Sequence, residues 1–280
     1  MSIKKLLSIP LLIFITIIAF FISARLYPEF LWFQSFNYDA LWVFILKSKV
    51  QTFAGFFLIS YALLKLNITI ADHISKKEPP SADVQFKGPF QFINDLFRQY
   101  MAFKQESQLV NVTGRAHSLF LEIAILLIAF LLGSSAKTWW HDIYAYIHQT
   151  PFNVTDPVFG KDIAFYFFTL PLIEHLQAWA YMLCFISLIA AAWIYFSKNI
   201  LAYLFTNSKR SGIKRHLFVL LSIFTALIAL GVYLNMLGLL YSTDGRVVGA
   251  GYTDIHAKLF GYKIVIIALC IQSLLFAIWA

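Results

Sequence analysis

Charged residues are scarce in this chain of 280 residues: they make up 13% of it, whereas hydrophobic residues make up 60%. A soluble globular domain carries about 25% charged and about 45–50% apolar residues. The few polar residues here could not cover so large an apolar core with a hydrophilic surface. Cysteine is also scarce, and Cys184 and Cys270 both fall inside apolar blocks. The composition therefore argues against a soluble domain and indicates no disulfide framework.

Sequence motifs for catalysis, cofactors and metals are missing as well. The chain has no H-E-x-x-H helix, no P-loop, no G-x-G-x-x-G turn and no nucleophile elbow. His141, Asp142 and His148 match no dense ligand spacing of a metal site. We therefore expect no enzyme, no cofactor and no metal.

The apolar residues are concentrated in six blocks of membrane length. A helix needs about 20 mostly apolar residues to cross a bilayer core of about 30 Å. The blocks cover residues 6–24, 50–70, 118–136, 178–196, 216–237 and 264–280. The first could be a signal peptide, but bulky Ile22 stands where cleavage needs a small residue, so we expect a retained span. The pattern predicts an all-α integral membrane protein, a polytopic bundle of about six transmembrane helices with short interfacial helices.

The net charge of +8 agrees with this topology. With the N-terminus inside the cell, 14 of the 22 basic residues fall in inner segments, as is typical of cytoplasmic loops. They are Lys4, Lys5, Lys65, Lys76, Lys77, Lys87, Arg98, Lys104, Arg115, Lys198, Lys209, Arg210, Lys214 and Arg215. A basic face beside anionic lipid explains the charge without nucleic acid. We expect a multi-pass protein of the plasma (inner) membrane with a cytoplasmic N-terminus.

Two connecting segments have the apolar spacing of amphipathic helices. Residues 89–103 form one of them, and such a helix either lies in the inner membrane interface or packs under the bundle. Residues 139–148 predict a shorter helix that rests on the membrane at the outer side.

The outer segment that follows carries turn signals, Asp-Pro at 156–157 and Phe-Gly at 159–160. Asp162 is placed to cap a helical turn over residues 163–170, which Pro171 is expected to end. Asp156, Gly160 and Asp162 are the candidate functional residues of this segment.

The last outer loop is rich in glycine, which permits unusual backbone angles and close approach. Its candidate functional residues are Arg246, Gly249, Tyr252, Asp254 and His256. We expect segments 152–171 and 241–256 to pack together as an ordered outer cap that docks an external domain or a partner. The alternative is a simple aromatic belt at the membrane interface.

Glu122 is the sole acid within a predicted span. An ionisable residue inside the membrane is a functional candidate by default. Two interpretations stay open: Glu122 takes part in transport or proton transfer, or it reaches the headgroups or pairs with Arg115 or His117 near the inner end of its helix.

Three stretches of the sequence carry a resemblance to a known family. They are Glu-Phe-Leu-Trp-Phe at 29–33 followed by Tyr38, the segment 155–171, and the segment 240–256. In this order they resemble the UPF0182 family of uncharacterised prokaryotic multi-span membrane proteins. The resemblance implies an N-terminal transmembrane region, here residues 1–280, followed by a large domain outside the membrane, and it assigns no catalytic residues. Because that domain is absent, we expect an N-terminal piece or a shortened version of a larger protein.

The function expected from these features is not enzymatic. We expect a membrane anchor or scaffold for an extracytoplasmic envelope assembly, with the lipid bilayer and an extracytoplasmic domain or envelope protein as partners. The alternative is a transporter or lipid-handling component that uses Glu122 and the glycine-rich loop. A water-accessible path through the bundle would distinguish the two.

Overall fold

The computed structural model describes residues 3–77, 92, 95, 99, 110–197, 212–242 and 249–280. Within these ranges the chain is helical apart from connecting turns and one isolated β-bridge, which confirms the all-α prediction. Most of the predicted interfacial helix at 89–103 lies outside the described residues, as does the candidate Arg246.

Seven α-helices occupy the described part of the chain. They are α1 (Ile3–Ser35), α2 (Asp39–Lys77), α3 (Val110–Ala136), α4 (Trp140–Ile147), α5 (Leu170–Ser197), α6 (Gly212–Gly238) and α7 (Leu259–Trp279). Two five-residue π-helical turns, Phe165–Thr169 and Asp254–Lys258, lead into α5 and α7. The short α4 agrees with the helix predicted at 139–148.

Five helical segments are long and apolar enough to cross a membrane. They are Asp39–Lys77, Leu119–Ala136, Phe165–Phe196, Gly212–Tyr241 and Asp254–Trp279. These segments contain or overlap the second to sixth predicted blocks, and α1 contains the first. Several helices extend beyond the apolar blocks predicted from the sequence, because hydropathy identifies only the part of a helix that is apolar enough to lie in lipid. The 39 residues of α2 rise about 58 Å at about 1.5 Å per residue, well beyond a hydrocarbon core of about 30 Å.

The predicted helix end at Pro171 is wrong, because Pro171 is the second residue of α5, which continues to Ser197. Proline is tolerated in the first turn of a helix, but its ring otherwise clashes with the carbonyl one turn earlier. The π-helical turn Phe165–Thr169 widens the backbone just before Pro171, which relieves this clash. The helix that contains the fourth block therefore begins well before residue 178.

The contacts divide the chain into two compact units, Met1–Thr52 and Phe53–Ala280. The first unit is a helical hairpin formed by α1 and the start of α2. In its turn the Tyr38 N–H donates to the Phe33 carbonyl over 2.9 Å. Asn37 has a φ of 59°, a left-handed conformation that asparagine adopts more readily than most residues.

The second unit is built around α5, which takes part in three buried apolar clusters. One cluster joins α2, α3 and α5 through Leu64, Ile125, Leu132 and Leu183. Another joins α2, α5 and α6 through Ala71, Ala191, Ile194, Tyr195, Ile213 and Leu217. The third joins α5 and α6 through Leu170, Leu234 and Leu237. The helix α5 is thus the central element of this unit.

Hydrogen bonds also connect the helices of the second unit. The Gln177 side chain on α5 donates to the Leu227 carbonyl on α6 over 2.8 Å. Ser222 on α6 and Ser273 on α7 each donate to the other's carbonyl over 2.9 Å. In lipid, apolar contact alone does not drive helices together, so close packing and such hydrogen bonds hold the bundle.

Candidate functional site

The segment 152–164, called here the aspartate loop, is held by two carboxylates that accept backbone hydrogen bonds. Asp162 accepts from the N–H groups of Phe152 at 3.1 Å, Asn153 at 2.9 Å and Ala164 at 2.7 Å. The contact with Ala164 is the predicted cap at the start of the following helical turn. The contacts with Phe152 and Asn153 close the loop, and the sequence did not predict them.

Asp156 holds the other side of the aspartate loop. Its Oδ1 accepts from the N–H groups of Val158 at 2.9 Å and Phe159 at 2.5 Å. Its Oδ2 accepts from the Lys161 N–H at 2.8 Å and the Tyr166 hydroxyl at 2.9 Å. Each oxygen therefore accepts two hydrogen bonds within the chain, so this carboxylate stabilises the loop and is not positioned as a catalytic base or an open metal ligand.

Gly160 is required for the tight turn between the two aspartates. Its φ is +66°, a conformation that glycine adopts without steric cost. Its N–H donates to the Asp156 carbonyl over 3.1 Å, and the Asp156 N–H donates to the Lys161 carbonyl over 2.8 Å. Asp156, Gly160 and Asp162 thus lie together in the loop, and each of them supports its backbone.

Both carboxyl groups have pKa values below their ordinary value of 3.8. Desolvation raises the pKa of Asp156, but its hydrogen bonds to three backbone N–H groups and Tyr166 together outweigh it. For Asp162 the hydrogen bond from Ala164 is the largest cause, and those from Phe152 and Asn153 add to it. The loop therefore binds both groups in their charged form.

The aspartate loop is expected to open in acid. Since both pKa values are depressed by folding, the carboxylates stabilise the loop fully above the ordinary value of 3.8 and lose this contribution as the pH falls below it. Hydrogen exchange of residues 152–164, corrected for intrinsic rates, should show protection near pH 6 and its loss below about pH 3.8. Protection unchanged by acid would contradict the role of these carboxylates, and amides within α6 serve as the control.

Aromatic side chains attach the aspartate loop to the helical bundle. Phe159, Phe165 and Tyr166 pack against the buried cluster formed by Leu170 with two leucines of α6. The Lys161 ammonium lies 4.4 Å from the centre of the Phe165 ring, a cation–π contact. The loop is therefore fixed to the ends of α5 and α6 and is ordered by both polar and apolar contacts.

The first residue of the last loop, Tyr241, touches this assembly. Its ring lies edge-on to that of Tyr166, with centroids 6.5 Å apart, and its hydroxyl donates to Glu174 over 3.3 Å. Residues 243–248, including Arg246, are not described. The contact at Tyr241 supports the predicted cap, while packing of the rest of this loop stays a prediction.

The remaining candidates of the last loop form a separate group at the start of α7. The rings of Tyr252 and His256 stack at 4.0 Å, and Asp254 accepts from the Gly251 N–H over 2.9 Å and pairs with Lys258 at 2.8 Å. These contacts are local to the π-helical turn that opens α7. They support the helix start and do not assemble a catalytic constellation.

Gly249 closes the last loop at its base. Its N–H donates to the Ser242 carbonyl over 2.8 Å, and its φ is +104°. A Cβ at this position would also lie 3.2 Å from the Leu240 carbonyl oxygen. Both the backbone angle and the close approach therefore require glycine here.

Glu122 on α3 is held by two residues of α2. Its Oε1 accepts from the Tyr61 hydroxyl over 2.7 Å, and its Oε2 forms an ion pair with Lys65. Tyr61 and Lys65 lie one turn apart on the same face of α2, so both contact the carboxylate at once. Neither partner was predicted from the sequence, because both contacts are long-range and join two different helices.

Removing either charge of the Glu122–Lys65 pair should destabilise the contact between α2 and α3. We expect Glu122→Gln and Lys65→Gln each to lower the melting temperature of the solubilised protein by a few degrees, because each leaves the other group without its counter-charge. The double variant should lose less than the sum of the two, which a double-mutant cycle measures. Strict additivity would contradict direct coupling.

A further polar cluster, not predicted, connects α4 with α5. Asp142 lies between two histidines, with Oδ1 3.2 Å from His141 Nε2 and Oδ2 3.4 Å from His175 Nε2. The His175 ring stacks on Trp139 with centroids 5.0 Å apart. Oδ2 is buried and makes no hydrogen bond of good geometry. In the part of the chain that the structure describes, no group of three or more His, Cys, Asp and Glu side chains is placed to hold a metal ion.

The five apolar helical segments and the all-α fold define a polytopic helical membrane protein. The chain belongs to the Uncharacterised protein family (UPF0182), whose family model matches residues 6–280. This membership confirms the resemblance found in the three sequence stretches.

Curated relatives in this family extend over most of the chain. UPF0182 proteins of Desulforamulus reducens and Sulfurovum sp. are 33% and 29% identical over 265 and 283 residues, which is 91% and 98% of this chain but 27% and 28% of their own length. That of Geobacter sp. is 31% identical over 246 residues, 85% of this chain and 25% of its own. The chain thus spans about a quarter of the length of the curated relatives it matches. No solved structure matches the chain.

Proposed function

We propose that this chain is a non-enzymatic membrane anchor or scaffold for an extracytoplasmic envelope assembly, placed in the plasma membrane with its N-terminus in the cytoplasm. The observation that carries the proposal is the aspartate loop. Its carboxylates are used to hold its own backbone, so its chemistry favours a rigid surface over a reactive one. Its exposed side chains include Phe152 and Val154, and the Phe152 ring contacts that of Phe167 at the start of the following helical segment.

A rigid loop lowers the cost of docking a partner because less conformational entropy is lost on binding. The loop packs against Leu170 of the central helix α5, so its position relative to the bundle is fixed. Exposed rings next to an ordered backbone suit protein recognition, since aromatic side chains dominate binding energy at interfaces. These features support a scaffold more directly than a transport path.

The test compares the native complexes of the full chain and of Asp162→Ala in membranes of the producing organism. We expect the wild-type chain to migrate as a larger complex on a native gel, and the variant to migrate as the free protein while keeping its melting temperature. Asp72→Ala is the control, because Asp72 pairs with Lys76 on the exposed end of α2 and leaves the loop intact. A wild-type chain that migrates on the native gel as the free protein would contradict the scaffold proposal.

The alternative function, a transporter or lipid-handling component, depends on Glu122. A carboxylate that carries a proton or an ion has to exchange its partners, whereas both oxygens of Glu122 are engaged by Tyr61 and Lys65. Uptake assays with Glu122→Gln in proteoliposomes distinguish the two functions. A flux that the substitution abolishes, in a variant that still folds, would favour transport over anchoring.

A further inference from the structure

The turn between α1 and α2 carries an exposed aromatic surface, called here the hairpin tip (residues 29–43). Trp32, Phe36 and Tyr38 are 61%, 56% and 59% exposed. The tip is ordered by the turn at Asn37 and by an edge-to-face contact of Phe30 with Trp42, whose ring centroids are 5.1 Å apart. Outside the lipid, large exposed rings on an ordered element mark an interaction surface.

The charges that flank the apolar blocks place the hairpin tip outside the lipid. Arg25 and Lys49 flank the apolar blocks 6–24 and 50–70, so these two charges mark the membrane surface. From Arg25 to the end of α1 at Ser35 the unbroken helix rises about 15 Å. A tilt of up to about 40° leaves about 11 Å, still more than the headgroup layer of about 5–8 Å.

The opposite placement, with the tip at the headgroups, is disfavoured by charge. It would draw Arg25, Glu29, Lys47 and Lys49 down into the hydrocarbon, where ionised side chains are costly. The exposed rings of the tip therefore have to meet water or another macromolecule.

The charge of the tip indicates which kind of binding partner fits it. Between Arg25 and Lys47 the chain holds two acids, Glu29 and Asp39, and no lysine or arginine. A second copy would bring like charges together, and an anionic lipid surface would repel the tip. An apolar groove flanked by basic residues matches both the rings and the charge.

We infer that the hairpin tip docks into an apolar, basic-rimmed groove of an extramembrane protein partner. This inference rests on the proposed scaffold function, and it adds a second contact surface to the aspartate loop. The aromatic side chains provide the buried contact area, while Glu29 and Asp39 orient the partner at the rim.

The test places the photo-reactive p-benzoyl-phenylalanine at Phe36 in the full chain, in membranes of the producing organism. Irradiation should attach a protein whose cross-linked peptide, read by mass spectrometry, combines apolar residues with lysine or arginine. Leu58 is the matched control, because it is 60% exposed on α2 within the block 50–70 and should attach lipid. Reversing Glu29 and Asp39 to lysine should lower the protein adduct about tenfold.

Each other outcome overturns the inference. A lipid adduct at Phe36 would place the tip in the bilayer, and an adduct of two chains would make the occupant a second copy. Absence of an adduct would contradict a protein partner at the tip. An adduct that charge reversal leaves unchanged, in a variant with a normal melting temperature, would contradict a basic-rimmed groove. If the Phe36 adduct is absent while Asp162→Ala still dissociates the native complex, the scaffold function stands and only the tip contact is wrong.

Discussion

Replacing Gly133 by alanine should lower the melting temperature of the solubilised protein by about 2–10 °C. A Cβ at this position of α3 would lie 2.9 Å from the Phe57 Cβ, 3.0 Å from the Phe53 carbonyl oxygen and 3.1 Å from the Phe57 nitrogen. Backbone atoms cannot avoid the new Cβ by a change of rotamer, so α3 would have to move away from α2. Overpacking of this kind costs about 1–3 kcal/mol.

Gly55 on α2 is the matched control for this substitution. Nothing lies within 4 Å of a Cβ built there. Gly55→Ala should keep or raise the melting temperature, because alanine is favoured over glycine in a helix interior by about 1 kcal/mol. Size-exclusion profiles after stepwise heating in one detergent measure both variants. Equal melting temperatures would show that α2 and α3 do not pack through Gly133.

The contrast between these two glycines marks the limit of what the sequence predicts. The existence of the membrane helices is local information, since a run of apolar residues of sufficient length suffices. Helix packing is not local: Gly133 and Gly55 differ only in what lies opposite them. The sequence therefore predicts the membrane helices and cannot tell which glycine is a contact.

The contacts of the candidate site also divide into local ones, which the sequence predicts, and long-range ones, which it does not. The cap of Asp162 on the Ala164 N–H was predictable, because capping acts over two or three residues. The pairing of Glu122 with Lys65 was not, because it joins two helices far apart in sequence. The π-helical turn before Pro171 was also missed, since proline after an apolar stretch ordinarily signals a helix end.

Asp156→Ala should loosen the aspartate loop without unfolding the bundle. The substitution removes the acceptor of three backbone N–H groups, those of Val158, Phe159 and Lys161. We take about 1 kcal/mol for each hydrogen bond, below the range of about 1.5–3 kcal/mol for charged acceptors because the loop is partly exposed, so opening becomes easier by about 3 kcal/mol. Hydrogen exchange at these three amides should then quicken about 100-fold.

The melting temperature should change little in Asp156→Ala, because the buried contacts of Leu170 with α6 do not use this carboxylate. Asp156→Asn should give a smaller increase in exchange, since its amide oxygen still accepts but its NH2 group cannot accept from Lys161 or Tyr166. Asp72→Ala is the control for removing an acid elsewhere, and it should leave exchange in the loop unchanged. If exchange at residues 158–161 stays at the wild-type rate in Asp156→Ala, the loop is ordered by its aromatic packing alone, and the two carboxylates are not what makes it rigid.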